Sequence, residues 1–114
     1  MVDKNKLAED LMNEMAKRIN ESAEMMADWG KAFQLIFPDI NTGYWLKVKM
    51  DGHVEALEKV TKDKSQSAAV ITMEVLTFKG LMDKSLGAQS AMASGALKVE
   101  GPLSELLKLN LVFS

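Results

Sequence analysis

The chain has 114 residues, 47% of them hydrophobic and 26% charged, which suits one globular domain spanning residues 1–114 and excludes wholesale disorder. The formal net charge is −2 and Arg18 is the single arginine, so the basic footprint of a nucleic-acid or anionic-membrane binder is missing. With no cysteine and one histidine, disulfides, thiolate metal sites and a cysteine nucleophile are excluded, and no metal site is expected. No apolar run reaches the ~18 residues of a membrane span. The first twenty residues mix charge with apolar groups, unlike a secretory signal. The expected compartment is the cytoplasm, with membrane contact no more than transient.

Residues 4–19 read as a helix, because Leu7, Leu11, Met15 and Ile19 recur at four-residue spacing and Ala8 and Met12 widen the stripe. Ser22 is a candidate cap for a second, short helix running to about Asp28, with Met25, Met26 and Trp29 on its apolar side. Residues 31–37 read as a strand with Phe33, Leu35 and Phe37 on one face, ended by Pro38 and Asp39. Asn41 to Gly43 supply a turn. Residues 44–50 form the clearest strand, with Tyr44, Leu46 and Val48 facing one way and Trp45, Lys47 and Lys49 the other.

Asp51 and Gly52 mark a hairpin whose register can be argued. A two-residue loop would set Glu55 against Val48 and Lys59 against Tyr44, placing charge on the apolar face. A three-residue loop closed by a left-handed Gly52 pairs Val48 with Val54, Leu46 with Ala56 and Lys47 with Glu55. Burying an unpaired charge costs several kcal/mol, on the order of the effective penalty per ion. A cross-strand charge pair adds only ~0.2–1 kcal/mol. Desolvation decides, and the bulged hairpin is expected.

A polar connection covers 61–67. Residues 68–73 are apolar on both faces, which predicts a buried strand. From Thr72, a candidate N-cap, the period becomes helical through Val75, Phe78, Leu81 and Met82 to about Lys84. A short helix follows through Met92 and stops at Gly95. Leu97 and Val99 alternate with Lys98 and Glu100 in a last strand, and Pro102 opens a final helix carrying Leu103, Leu106 and Leu107. The predicted fold class is α+β: a largely antiparallel sheet with helices packed on one face.

No catalytic constellation emerges. His53 sits beside a turn glycine with no visible partner, and the serines lack a nucleophile-elbow pattern. The glycines form no phosphate-cradling loop. The nine methionines suit either a Met-rich core or a yielding pocket. Trp45 lies on the polar face of its strand, where it either anchors a partner or is covered by the chain itself.

Residues 43–109 resemble the sterol carrier protein type-2 family. The resemblance rests on Gly43-Tyr44-Trp45-Leu46-Lys47-Val48-Lys49-Met50-Asp51-Gly52, on Ala69-Val70-Ile71-Thr72-Met73, and on the run from Ala88 through Gly95 to Gly101, in matching order and spacing. It implies a five-stranded sheet with helices on one side and an apolar tunnel between them, binding a fatty acid, acyl-coenzyme A or sterol-like lipid without cofactor or catalysis. Gln89 matches a position bordering that tunnel, and Phe78, Leu81, Met82 and Met92 fall on the flanking helices. With Phe33, Leu35 and Leu106 these are the expected ligand contacts. The competing expectation is an assembly module with a filled core, whose Trp45 face pairs with a second copy of the chain or another protein. The chain ends at Ser114, short of the tail that longer family members carry.

Overall fold

The computed structural model describes residues 3–60 and 67–105. Helix α1 runs Lys4–Glu21, with the Asp3 carboxylate accepting from the Asn5 and Lys6 amides at its start. Ala8, Met12, Met15 and Ile19 are its fully buried face, while Leu7 and Leu11 pack at the margin. The stretch after Ser22 is a 3-10 turn over Ala23–Met26, shorter than the helix expected to reach Asp28. Ser22 makes no side-chain cap there, and Asp28 takes a positive φ of 67° that ends helical geometry.

Strand β1 is Ala32–Phe37, followed by a 3-10 turn at Pro38–Ile40 and a left-handed Asn41. Strands β2 (Thr42–Val48) and β3 (Val54–Val60) form the hairpin; β4 is Ala69–Met73 and β5 is Leu97–Glu100. Helices α2 (Val75–Met82) and α3 (Ala88–Ser94) lie between β4 and β5. The sheet order is β3-β2-β1-β4-β5. Every neighbour pair is antiparallel except β1–β4, so the sheet is mixed. Phe33, Leu35 and Phe37 share a face with Leu46, Tyr44, Ala69, Ile71 and Met73, and this face joins α1 and α2 in one apolar core.

The hairpin departs from its expected register in one respect. Gly52 is left-handed at φ 94° and Val48 opposes Val54, as expected. Between Lys47 and Val48 the ladder then shifts by one more residue, so Leu46 meets Leu57 and Lys47 meets Ala56. The bulge gives Leu46 a larger apolar neighbour than Ala56. It also sets Lys59 opposite Tyr44, which costs little because β3 lies at the sheet's edge and Lys59 is exposed. Lys47 still reaches Glu55, at 2.9 Å.

Helix α2 begins after Glu74; Thr72 lies within β4 and is not its cap. The Asp39 carboxylate accepts from the Val75 amide at 3.3 Å, supplying from the β1–β2 connection what Glu74 does not. At the other end Arg18 Nη1 donates to the Met82 carbonyl at 2.9 Å, while its Nε donates to Glu14 at 3.3 Å. The guanidinium thus satisfies a helix-terminal carbonyl and opposes the negative end of the α2 dipole. Arg18→Ala is expected to destabilise the fold by about 1–2 kcal/mol, with amide exchange accelerating first in the last turn of α2. Exchange rising equally throughout α1 and α2 would instead mean that the lost Glu14 pair dominates.

Candidate functional site

The apolar interior lies between the sheet and helices α1 and α2. Five of the expected ligand contacts meet there: Phe33, Leu35, Phe78, Leu81 and Met82 are all buried in one cluster. Phe78 stacks at a tilt on Phe37, ring centroids 5.5 Å apart, and Phe37 meets Tyr44 edge-on at 6.2 Å. Five methionines (Met12, Met15, Met26, Met73 and Met82) converge on the same cluster. Their unbranched side chains fit irregular space and re-pack readily.

Of the other expected contacts, two are exposed and one lies outside the described residues. Met92 is 50% exposed, and Gln89 is exposed beside it. Helix α3 has only seven residues and turns Ala91 inward with Ala88 half-buried one turn before it, so Gln89 and Met92, which lie round the helix from that face, point to solvent. Leu106 lies outside the described residues. Trp45 keeps to the sheet face opposite Phe33, as the alternation requires, but it is buried there with Gln34 and Ala32. Of the two readings that its face left open, this burial fits cover by the chain itself.

A polar cluster that the sequence reading missed closes one end of the core. The Trp29 indole N–H and the Lys31 ammonium both donate to the Glu105 carboxylate, and Trp29 stacks at a tilt on Phe33 at 6.1 Å. Glu105 is 8% exposed, in the helical turn that follows Pro102. No local spacing links position 105 to 29 and 31, so no sequence signal marks it. The Lys31 hydrogen bond holds the Glu105 carboxyl below its usual range; burial opposes this and the Trp29 hydrogen bond assists. A carboxylate lowered in the folded state contributes stability above its unfolded pKa of about 4.3, and loses it as pH falls through the folded value. Glu105→Gln is expected to cost about 1 kcal/mol at neutral pH, given that Lys31 is half exposed. The variant's urea midpoint is expected to fall less than the wild type's as pH drops below the ordinary carboxylate range. Parallel pH profiles would exclude this carboxylate as a source of acid sensitivity.

Clefts lined by described residues open at the surface. One, of ≈ 320 Å³, opens at the carboxyl end of the β1–β4 pair and includes Thr72, Met73, Glu74, Thr77 and Lys98. Another runs over the surface between α1 and the β2–β3 turn, beside Asn20 and His53. His53 is itself at the turn, its Nδ1 3.2 Å from Asp51. Among the described residues no group of three or more His, Cys, Asp or Glu is placed to hold a metal ion, and no helix is long and apolar enough to cross a membrane.

A mixed five-stranded sheet with α1 and α2 over a Met-rich apolar interior defines a sterol-carrier-type fold. The crystal structure of sterol carrier protein 2 is similar, with a TM-score of 0.67 at 15% identity, covering 91% of each chain. So is palmitated SCP2L2 from Aedes aegypti, at 0.58 and 15%, covering 87% of this chain and 90% of that one. A double mutant of the sec-alkyl sulfatase PisA1 gives 0.73 at 15% identity, covering 90% of this chain. This chain spans only 13% and 15% of the two sulfatase structures it matches, the first of them from Pseudomonas sp.. No curated protein matches by sequence. The chain belongs to the SCP-2 sterol transfer family, whose sequence profile matches residues 12–114.

Proposed function

We propose that this chain is a non-catalytic, cytoplasmic carrier of a lipid-like ligand, working as one domain over residues 1–114. The ligand's chain lies among Phe33, Leu35, Phe78, Leu81 and Met82. The observation that carries this reading is the convergence of five methionines on one core in a chain of this family. A core made only for rigidity favours branched side chains with few rotamers, whereas Met side chains re-pack around a guest.

The energetics favour exchange over storage. Each methylene taken from water gains ~0.8 kcal/mol, so about ten of them gain ~8 kcal/mol before ordering costs. Measured against a bilayer the gain largely vanishes, because both surroundings are apolar. The ligand therefore moves down its own concentration gradient between compartments. Palmitate is the natural first probe, since a related fold is described as palmitated. Saturable one-to-one binding by calorimetry, with a matching mass increment in native mass spectrometry, is the expected result. No binding across a series of fatty acids and sterols would overturn the proposal.

A further inference from the structure

We propose that the cleft at the carboxyl end of β1 and β4 is the head-group end of the ligand site, and that it suits a single-chain amphiphile with a zwitterionic head. This rests on the apolar-carrier reading and adds the ligand's polar half to it. Of the described residues lining the ≈ 320 Å³ cleft, Met73 alone also belongs to the core cluster. Its flexible thioether thus borders both the cleft and the apolar interior.

The polar lining has both signs. Lys98 stands across the β4–β5 ladder from Thr72, and Glu74 and Thr77 belong to the start of α2. Glu74 is not occupied as a helix cap, because Asp39 takes the Val75 amide. Among the described residues neither Lys98 nor Glu74 has an ion-pair partner, so the two charges do not close on each other. Gly95 adds room at the rim: a Cβ there would meet nothing within 4 Å.

A carboxylate head gains from Lys98 and is repelled by Glu74. A lone ammonium meets the reverse. A head with separated phosphate and ammonium groups satisfies both, with the Thr72 and Thr77 hydroxyls as further donors to phosphate oxygens. Both charges face water, so discrimination on the order of tenfold is expected.

The test compares three probes with the same hexadecanoyl chain, each below its micelle concentration: palmitate, monopalmitoylglycerol and palmitoyl-lysophosphatidylcholine. Calorimetry is expected to show the zwitterion binding about five- to tenfold tighter than palmitate. Lys98→Met and Glu74→Gln are each expected to reduce it to the level of the uncharged glycerol ester. Unchanged binding of that ester serves as the control for folding. Equal binding of all three, or variants that leave the zwitterion's affinity intact, would overturn the head-group assignment. So would palmitate binding tightest with only Lys98→Met mattering. Failure of every probe to bind would sink the carrier reading instead, which keeps the two claims separable.

Discussion

Gly52→Ala is expected to destabilise the protein by about 3 kcal/mol or more, a fall of roughly 12 °C in Tm for a domain of this size. A Cβ built at Gly52 would lie 1.7 Å from the Ala23 carbonyl oxygen and 2.6 Å from its carbon. Both obstacles are backbone, so relief requires the hairpin to lift off the 3-10 turn below it. The positive φ of 94° adds strain that an L side chain resists. Gly95→Ala separates the two contributions. Gly95 has φ 82° but open space around it, so its loss is expected to be about 1 kcal/mol, the backbone cost alone. Thermal unfolding of both variants checks the prediction. Equal losses would mean that the close approach of Gly52 to Ala23 contributes nothing.

Phe78→Ala is expected to cost about 3–5 kcal/mol, the transfer term for a buried ring plus the cavity it leaves. Phe78 is fully buried against Phe37. Leu76 lies two positions earlier on the same helix and is 51% exposed, so Leu76→Ala is expected to change stability by only about 0.5 kcal/mol. Helix propensity is similar for Leu and Ala, so the contrast reads burial. Denaturant unfolding is the measurement, and comparable losses at both positions would show that the α2 inner face is not packed as described. In a carrier, a saturating apolar ligand at about a hundred times its Kd adds about 2.7 kcal/mol to the wild type. Such a ligand occupies space that the Phe78 ring helps to shape, so its gain in the variant measures how far the remaining Met side chains fill in.

Much of this architecture was legible because each element carries its own period. The four-residue recurrence in α1, the alternation in β1 and β2, and the switch at Val75 from strand to helix spacing all appear in the folded chain. The stop at Gly95 and the strand from Leu97 to Glu100 are there too. The failures share a physical cause. Met92 was expected inward because the resemblance sets its helix beside the ligand, but a seven-residue helix of Ala, Gln, Ser and Met offers too little periodicity to say which face is covered. The face of Trp45 was legible but its cover was not, because alternation gives the face of a residue and not what lies on that face. The extra bulge in β3 depends on Leu57 competing with Ala56 for one position, a contest between side chains of different size at an edge. The Glu105 cluster and the Asp39 cap of α2 join residues far apart in sequence, and only the folded chain brings them together.

The parallel β1–β4 pairing has a consequence for how the chain reaches this state. Strands β1, β2 and β3 follow one another and pair in sequence, so residues 32–60 can zip up through short loops. The β1–β4 ladder cannot: Phe33 must wait for Ala69, whose strand arrives only after the whole meander has been made. Closing that long loop is compensated only once β4 brings Ile71 and Met73 onto Leu35 and the ring of Phe37. The order of assembly that follows is a meander first, then β4, then α2 and α3 with β5 at the far edge. Mutations in the β1–β2 ladder should therefore slow folding, while those in β5 should mainly hasten unfolding.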